Sequence, residues 1–424
     1  MRCGGAVMAK LLIHGGKKLT GEVRIHGAKN STLPLMAATL VCSGKCTLHN
    51  CPVLSDVDTS VHILRYLGCG VEVSGSDIVV DPVPVDRSDI PDHLMREMRS
   101  SIVFLGAIVS RMGQATLSYP GGCELGPRPI DLHLSALRKM GVAINEDHGR
   151  LLCSAPQGVR GATISLAFPS VGATENIIIA AVLAKGVTVI NNAAREPEIC
   201  DLADFLSTCG AQISGAGSSA ITIRGVKKLS GCEHRVIPDR IAAATYLAAA
   251  AATGSTITVM DIIPEHLAPV IPAFEESGCI LTENEDRMTI TAPHRLNRMK
   301  NIRTMPYPGF PTDAQAPVMA MAAVAEGTSI FVENIFESRY KHVGELLRLG
   351  ANIKVEGRVA IVEGVERLSG ASVEATDLRG GAALVVAGLA ASGVTEVGGL
   401  HHLDRGYEKL GENLARLGAE VERV

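Results

Sequence analysis

A cysteine within a glycine- and proline-rich stretch is the side chain of this sequence best suited to covalent or acid chemistry. Cys123 lies in GGCELGPRP, from Gly121 to Pro129. Because the glycines free the backbone and neither a helix nor a central strand accommodates the Gly-Pro-Arg-Pro run, the stretch predicts an exposed, mobile loop. A neighbouring cation, Arg128, would favour the thiolate form of Cys123. A buried structural cysteine is the alternative that local sequence leaves open.

Basic residues recur where a predicted strand gives way to an alanine-rich helix. Free N–H groups and the positive end of the helix dipole attract phosphate or carboxylate groups there, and a cation strengthens the attraction. Since cations are otherwise unfavourable at helix starts, their repetition indicates anionic ligands. Any single one of these basic residues could instead be an ordinary solvated surface charge. Their repetition disfavours that explanation for all of them together. The four residues are Lys29, Arg99, Arg240 and Arg379.

One equivalent position carries an acid, Asp313, in the run Gly-Phe-Pro-Thr-Asp. Local sequence favours a helix cap there, after Pro311 and Thr312. Among arginines at a helix start, Asp313 would instead keep a low pKa and accept a proton from a hydroxyl group.

Two further polar clusters are candidates for ligand binding. Arg405, in the run Asp-Arg-Gly-Tyr-Glu, could hold a carboxylate at two points. Asp377 and Arg379 form a similar pair, for which an internal salt bridge is the alternative.

Six copies of one unit supply the elements that must position these residues. In each copy an amphipathic helix ends before a glycine suited to a left-handed cap, and an alternating strand follows. The glycines recur roughly every 70 residues, a period that predicts βαβαβ-type units. They are Gly68, Gly141, Gly210, Gly278, Gly350 and Gly418.

The N-terminal segment completes the last unit in this interpretation. The final unit stops at Val424 without its last strand, and residues 10–21 match the pattern of residues 359–370. The predicted domains are therefore 1–28 with 237–424, holding both termini, and 29–236, holding the Cys123 loop. Crossings near Lys29 and in the segment 235–238 would form a hinge, and a cleft between domains is a preferred place for a ligand.

Composition excludes several classes of function. The formal net charge of −4 argues against bulk attraction to nucleic acid or an anionic membrane. No apolar run reaches the roughly 18 residues of a spanning helix, and the N-terminus, where Met8 is an alternative start, lacks the form of a signal peptide. Eleven cysteines without disulfide-like spacing indicate a reducing, cytoplasmic setting.

A metal site made of neighbouring residues is disfavoured. Cys42, Cys46, His49 and Cys51 are close in sequence. Alignment of the repeats places Thr188 opposite Cys46 and Ala193 opposite Cys51, where no ligand chemistry is possible. We therefore expect neither a metal nor a cofactor.

Seven motifs carry a resemblance to a known family. They are GAKNSTLP from Gly27, PGGCELGPRPIDLH from Pro120, SVGATENI from Ser170, NAAREPEI from Asn192, GFPTDAQA from Gly309, ATDLR from Ala375 and HLDRGYE from His402. Over nearly its whole length the chain closely resembles the UDP-N-acetylglucosamine 1-carboxyvinyltransferases, the enolpyruvyl transferases of bacterial peptidoglycan synthesis.

The resemblance implies an α/β fold of two inside-out α/β barrel domains, with three units each, helices inside and sheets outside. It implies transfer of the enolpyruvyl group of phosphoenolpyruvate to the 3′-hydroxyl of UDP-N-acetylglucosamine, with release of phosphate. That reaction passes through a tetrahedral intermediate and serves cell-wall biogenesis, cell shape and cell division. The domains should close on the UDP-sugar and carry the Cys123 loop as a lid.

The resemblance also implies roles for individual residues. Cys123 matches the general acid that fosfomycin alkylates, and Asp313 matches the base for the sugar hydroxyl. The residues matching the phosphoenolpyruvate site are Lys29, Asn30, Arg128 and the catalytic Arg405. Those matching the UDP-sugar site are Arg99, Arg128, Pro129, Ile130, Asp131, Leu132, Ser170, Val171, Gly172, Asp313 and Ile335. Asp377 and Arg379 match a pair near the reacting centre, and Arg339 is a further residue expected to bind substrate.

Two departures from the family pattern stand out. Pro127 replaces a more usual Ala or Ser, which should stiffen the loop after Cys123. Phe168 and Pro169 stand where many relatives carry a lysine in the stretch that contacts UDP.

Rival functions differ from this one in identifiable ways. The shikimate-type enolpyruvyl transferases share the six-unit architecture but lack the cysteine loop. The RNA 3′-phosphate cyclases use a related architecture, whereas this composition shows neither a basic face nor abundant aromatic residues for base stacking. A non-catalytic UDP-sugar sensor would need neither Cys123 nor Asp313.

Overall fold

The computed structural model describes residues 9–121 and 130–424 and divides them into two units. The split unit comprises residues 9–26 and 238–424, and the continuous unit comprises residues 27–121 and 130–237. Each unit has its own core of buried aliphatic side chains.

Within the described residues, the strands of each unit form three four-stranded sheets of one topology. In every sheet the first edge strand runs parallel to its neighbour, and the two remaining pairings are antiparallel. The continuous unit's sheets are, in spatial order, Glu233–Arg235, Cys46–His49, Asp77–Asp81 and Gly70–Ser74; Asp89–Ile90, Gln114–Ser118, Arg150–Ser154 and Ala143–Asp147; and Thr163–Ser165, Val187–Asn191, Ala220–Arg224 and Gln212–Ser214.

The split unit repeats this arrangement, which confirms the prediction of six related units. Its sheets are Thr20–Arg24, Thr256–Met260, Arg287–Thr291 and Ile280–Asn284; Asn301–Arg303, Thr328–Val332, Val359–Glu363 and Asn352–Glu356; and Ser372–Glu374, Val394–Gly398, Leu11–His14 and Glu420–Arg423.

The N-terminal strand completes the last sheet, as predicted. Leu11–His14 pairs antiparallel with both Val394–Gly398 and Glu420–Arg423, the position that Val359–Glu363 takes in the preceding sheet. The two ends of the described chain are therefore joined by backbone hydrogen bonds.

One helix of each repeat is buried around most of its circumference. Arg240–Ala252 shows the reason: its sequence is almost entirely alanine and other apolar residues, and a helix without a polar face is stable only in a core. The three such helices of each unit pack on one another inside it. They are Lys29–Ala38, Phe104–Met112, Val171–Ala181, Arg240–Ala252, Thr312–Ala322 and Leu378–Ala390.

The second helix of each repeat is amphipathic and ends before the glycine singled out from the sequence. All six glycines have a positive φ, between 87° and 104°, which a residue without a side chain adopts at little cost. These helices are Ser55–Tyr66, Asp131–Lys139, Pro197–Thr208, Ile271–Glu276, Val343–Arg348 and Leu410–Arg416. The remaining helices are Asp92–Glu97 and Leu400–Leu403, with 3₁₀ turns at Thr39–Val41, Arg99–Val103, Pro264–Leu267 and Arg339–His342.

The sheets cover the buried helices with one face and present the other to solvent. Along Ala220–Arg224, Ile221 and Ile223 are fully buried and their neighbours are exposed. This alternation is the pattern expected of a sheet that is wet on one side. None of the helices in the described ranges is both long and apolar enough to cross a membrane.

Candidate active site

A carboxylate held by two buried guanidinium groups is the central feature of the split unit. Asp313 Oδ1 accepts a hydrogen bond of 3.1 Å from Arg339, and Oδ2 accepts one of 3.0 Å from Arg379. The arginine side chains are 2% and 3% exposed, whereas Asp313 is 27% exposed. Two close cations favour the ionised carboxylate, and its partial exposure leaves it open to a ligand.

The prediction that Asp313 caps its helix is wrong. Pro311 occupies the N-cap of helix Thr312–Ala322, so Asp313 is the second helical residue. Two polar contacts hold the preceding residue, Thr312. Its hydroxyl donates to Glu333 Oε2 at 3.0 Å, and Arg339 donates to its carbonyl at 2.9 Å.

Arg379 is aimed at Asp313 by the helix that carries it. Asp377 caps helix Leu378–Ala390, because its Oδ1 accepts from the backbone N–H groups of Arg379 and Gly380 at 3.0 Å each. The guanidinium group also lies over the Tyr407 ring, 5.4 Å from its centroid. Burial tends to lower the pKa of Arg379, but Asp313 and Tyr407 outweigh burial, so its pKa lies above the ordinary value and the group stays charged.

Asp377 is buried, and its Oδ2 has no hydrogen-bond partner among the described residues. The internal salt bridge that was the alternative for Asp377 and Arg379 is not formed in the described contacts: Asp377 accepts from the backbone of Arg379, whose guanidinium group binds Asp313.

The remaining candidates of the split unit are half-buried. Ile335 is held by its backbone, since its N–H donates to the buried Glu333 Oε1 at 2.8 Å. Arg405 follows helix Leu400–Leu403 in a turn, and the adjacent Asp404 forms a two-point ion pair with Arg423, at 2.8 and 2.7 Å. Asp404 is therefore bound to Arg423 of strand Glu420–Arg423. This contact does not involve Arg405, which is expected to bind phosphoenolpyruvate.

A buried ion pair marks the candidate phosphoenolpyruvate residues of the continuous unit. Lys29 is the first residue of helix Lys29–Ala38, and its ammonium nitrogen lies 2.6 Å from Asp56 Oδ2. Asn30, the next residue, is half-buried. A lysine removed from water keeps its charge when a carboxylate is this close.

An asparagine links three segments that carry candidate UDP-sugar residues. Asn176 accepts from the Gly106 N–H at 2.6 Å, donates to the Ile102 carbonyl at 2.9 Å and lies 3.0 Å from His133 Nδ1. Burial, with a smaller effect of the cation Arg99, lowers the pKa of His133 to about 4, so the ring is neutral near pH 7. Asn176 therefore fixes the segments beginning at Arg99, Asp131 and Val171 relative to one another.

The other UDP-sugar candidates described by the structure cluster at two adjacent helix starts. Ser170 caps helix Val171–Ala181 by accepting from the Ala173 N–H at 3.3 Å. A side chain at Gly172 would come within 3.3 Å of His133, so the start of this helix lies against helix Asp131–Lys139. The set so placed is Ile130, Asp131, Leu132, Ser170, Val171 and Gly172.

Three candidates lie outside the described residues: Cys123, Arg128 and Pro129. The four cations expected at helix starts are described and lie there: Lys29, Arg99 and Arg240 are the first residues of their helices, and Arg379 is the second.

Comparison with known proteins identifies the family. The family model described as EPSP synthase (3-phosphoshikimate 1-carboxyvinyltransferase) matches residues 13–414. The curated UDP-N-acetylglucosamine 1-carboxyvinyltransferase 2 of Caldanaerobacter subterraneus subsp. tengcongensis is 54% identical over 417 residues, which are 98% of this chain and 100% of that protein. The chain belongs to the UDP-N-acetylglucosamine 1-carboxyvinyltransferase family. The resemblance inferred from the motifs is thereby confirmed.

Other members and relatives agree with this assignment. UDP-N-acetylglucosamine 1-carboxyvinyltransferase 1 of Symbiobacterium thermophilum is 50% identical over 420 residues, covering 98% of this chain and 95% of that protein. The crystal structure of the enolpyruvyl transferase NikO from Streptomyces tendae superposes with a TM-score of 0.89 at 27% identity, covering 98% of this chain and 99% of that one. The predicted fold class, that of the enolpyruvyl transferases, is confirmed.

For a member of the UDP-N-acetylglucosamine 1-carboxyvinyltransferase family, two positioning residues were not singled out from the sequence. Asp56 holds Lys29, and Asn176 joins the segments that carry the UDP-sugar candidates. Asn176 lies inside the quoted SVGATENI motif, so an inward-facing amide on an apolar helix was a usable signal. No feature of the sequence indicated Asp56, because an acid in the first turn of a helix such as Ser55–Tyr66 is common.

Proposed function

We propose that the chain transfers the enolpyruvyl group of phosphoenolpyruvate to the 3′-hydroxyl of UDP-N-acetylglucosamine and releases phosphate, the first committed step of bacterial peptidoglycan synthesis. The observation that carries the proposal is Asp313, an accessible carboxylate kept ionised by two buried arginines, in a chain whose relatives bear this enzyme's name. An ionised carboxylate is the group needed to remove the hydroxyl proton.

The proposed addition step uses one base and one acid. The sugar oxygen forms a bond to C2 of phosphoenolpyruvate while its proton passes to Asp313. The electron pair of the double bond takes a proton at C3 from the thiol of Cys123, and Arg405 stabilises the charge of the tetrahedral adduct. Elimination then removes a proton from C3, expels phosphate and restores the double bond.

The proposed binding residues supply charge rather than proton transfer. Lys29, Arg128 and Arg405, with Asn30, would hold the phosphate and carboxylate of phosphoenolpyruvate. The UDP-sugar would be held by Arg99, Ile335 and the helix starts around Asp131 and Ser170, together with Pro129. Arg339 and Arg379 would orient Asp313, and Asp377 would accept a hydrogen bond at its unpartnered Oδ2.

We also propose, from the family, the inhibitor, the cellular location and the domains of the enzyme. Fosfomycin would react covalently at Cys123, and the enzyme would act in the cytoplasm, with neither a nucleic acid nor a membrane as partner. The catalytic domains would be 1–28 with 237–424 and 29–236, whose limits lie within two residues of those of the split and continuous units.

Phosphate release tests the proposal against the shikimate-type alternative. The purified protein is incubated with phosphoenolpyruvate alone, with UDP-N-acetylglucosamine added, or with shikimate 3-phosphate added. We expect phosphate release only with the UDP-sugar. Release with shikimate 3-phosphate would establish the alternative, and binding of the UDP-sugar without release would indicate a sensor.

A further inference from the structure

Four cysteines from three segments of the chain meet in the continuous unit. The sulfur atoms of Cys42, Cys46 and Cys209 all lie within 4.8 Å of one another. The sulfur of Cys232 lies 3.2 Å from that of Cys209. All four are free thiols in the structure.

The backbone around these thiols is tied together by hydrogen bonds. Cys42 precedes Ser43, whose N–H donates to the Leu229 carbonyl at 3.0 Å, and the Cys232 carbonyl accepts from the Thr47 N–H at 2.9 Å. The Cys209 carbonyl accepts from both the N–H and the hydroxyl of Ser230, at 2.8 and 3.0 Å. These bonds join the three segments, so the thiols are held in place before any ligand binds.

The chemistry of the group is that of a soft-metal site. Zn²⁺ in structural sites takes four ligands at the corners of a tetrahedron, and a Zn–S bond of about 2.3 Å places thiolate sulfurs about 3.8 Å apart. The sulfurs of Cys42, Cys46 and Cys209 are at most 4.8 Å apart, and those of Cys209 and Cys232 are 3.2 Å apart. The first three suit that value with small adjustments, and the Cys232 side chain must shift to complete the tetrahedron. Spacing also fits, since three residues separate Cys42 from Cys46, within the usual range for a ligand pair.

We propose that Cys42, Cys46, Cys209 and Cys232 bind a structural Zn²⁺ ion as four thiolates. Binding releases four protons to solvent and leaves a complex of net charge −2. This site differs from the one set aside in the sequence, because it recruits Cys209 and Cys232 from distant segments. His49 and Cys51 do not join it: His49 faces Asp77 at 3.1 Å, and the Cys51 thiol donates to the Leu48 carbonyl at 3.6 Å.

The surroundings suit an ion of this charge. Arg111 donates to the carbonyls of Cys42 and Leu40, at 2.7 Å each, which places a cation next to one ligand segment. Cys42, Cys46 and Cys209 are buried, whereas Cys232 is half-buried. The three buried thiols exclude water from the ion, and Cys232 provides its route of entry.

The principal alternative is a disulfide between Cys209 and Cys232, whose sulfurs are the closest pair named. A disulfide requires an oxidant to take up two electrons, and it would remove two of the four ligands. Metal binding and disulfide formation therefore exclude each other, which makes them separable by experiment.

Metal content and metal exchange test the proposal on the intact chain. Protein purified under reducing conditions should contain about one Zn²⁺ per chain, as a single four-thiolate site requires. Inductively coupled plasma mass spectrometry measures the zinc content. The metal-free protein, titrated with Co²⁺ alone, should develop sulfur-to-cobalt charge-transfer absorption and tetrahedral visible bands. Removing the metal should lower the Tm by about 5 °C or more, since binding energy of a structural zinc is folding energy.

Variants identify the ligands. Cys232→Ala should lose the cobalt bands and the bound zinc, while Cys153→Ala, a buried cysteine on strand Arg150–Ser154 of the same unit, should keep both. Because Cys232 is half-buried, its removal should leave the chain folded. The proposal is overturned if wild-type protein with four reduced thiols binds neither ion, if Cys232→Ala keeps the cobalt spectrum, or if peptide mass mapping finds a Cys209–Cys232 disulfide in protein kept reduced throughout.

Discussion

The ammonium nitrogen of Lys29 lies 2.6 Å from the carboxylate of Asp56, and the two side chains are only 9% and 4% exposed. A buried pair of this kind contributes little when both partners are present, because desolvation offsets the attraction. Removing one partner is costly, since the other charge then stays buried without compensation. Asp56 therefore supplies a close counter-charge to a residue expected to bind phosphoenolpyruvate and helps to position it.

The first prediction concerns that pair. Asp56→Asn should lower the free energy of unfolding by about 3 kcal/mol and raise the KM for phosphoenolpyruvate, because Lys29 loses the buried carboxylate 2.6 Å from its ammonium group. Urea unfolding and steady-state kinetics measure the two effects. Asp58→Asn, an exposed acid in the same first helical turn, is the control and should change neither. An Asp56→Asn enzyme with wild-type stability would show that the pair does not bear on folding.

The second prediction concerns the proposed base. Asp313→Asn keeps the shape of the side chain but removes its ability to take a proton, so kcat should fall by about 10²- to 10⁴-fold. Phosphate release under saturating substrates measures kcat, and the KM for the UDP-sugar should change much less. Asp286→Asn, an exposed aspartate of the same unit, should retain full activity. Normal turnover by Asp313→Asn would remove Asp313 from the mechanism.

The third prediction concerns Cys123. Cys123→Ser should lose fosfomycin sensitivity and most activity, because a hydroxyl is a much weaker acid than a thiol. Cys123→Asp should keep activity, since a carboxyl can still deliver a proton, and should lose sensitivity to the inhibitor. Phosphate release with and without fosfomycin distinguishes the variants, with Cys200→Ser as a half-buried control. If Cys123→Ala turned over normally, another group would be the acid.

The fourth prediction concerns the pH dependence of stability. Burial, and then the nearby acids Glu198 and Glu196, raise the pKa of Glu175 to about 8 from a reference value of 4.5. Between those values the folded protein holds a proton that the unfolded chain releases, so Glu175 makes the protein less stable as pH rises from about 4.5 to about 8. At about 1.4 kcal/mol per pKa unit, the effect is on the order of a few kcal/mol.

Glu175→Gln isolates this effect because glutamine does not titrate. The stability of the variant relative to wild type should increase from pH 5 to pH 8, as measured by urea unfolding at each pH. Glu412 is an exposed glutamate on helix Leu410–Arg416 and serves as the control. The free energy of unfolding of Glu412→Gln should differ from that of wild type by a constant amount between pH 5 and pH 8. A constant difference between wild type and Glu175→Gln would mean that Glu175 has an ordinary pKa.

The repeat architecture could be predicted from local features of the amino-acid sequence. Helix-ending glycines and strand alternation are local features, set by the backbone freedom of glycine and by which face of a strand is buried. They predicted six units, and the match of residues 10–21 with residues 359–370 correctly placed the N-terminal strand in the last sheet. The motifs likewise sufficed to indicate the family, because they preserve residue types at chemically demanding positions.

Contacts between side chains distant in sequence could not be predicted in this way and became visible in the folded chain. Asp313 looked like a helix cap in the sequence, yet it binds Arg339, distant in its own repeat, and Arg379 of the next repeat. Cys209 and Cys232 had no local signal linking them to Cys42 and Cys46. The physical reason is that hydrophobic periodicity and turn residues specify elements one at a time, whereas contacts between polar side chains depend on how those elements pack.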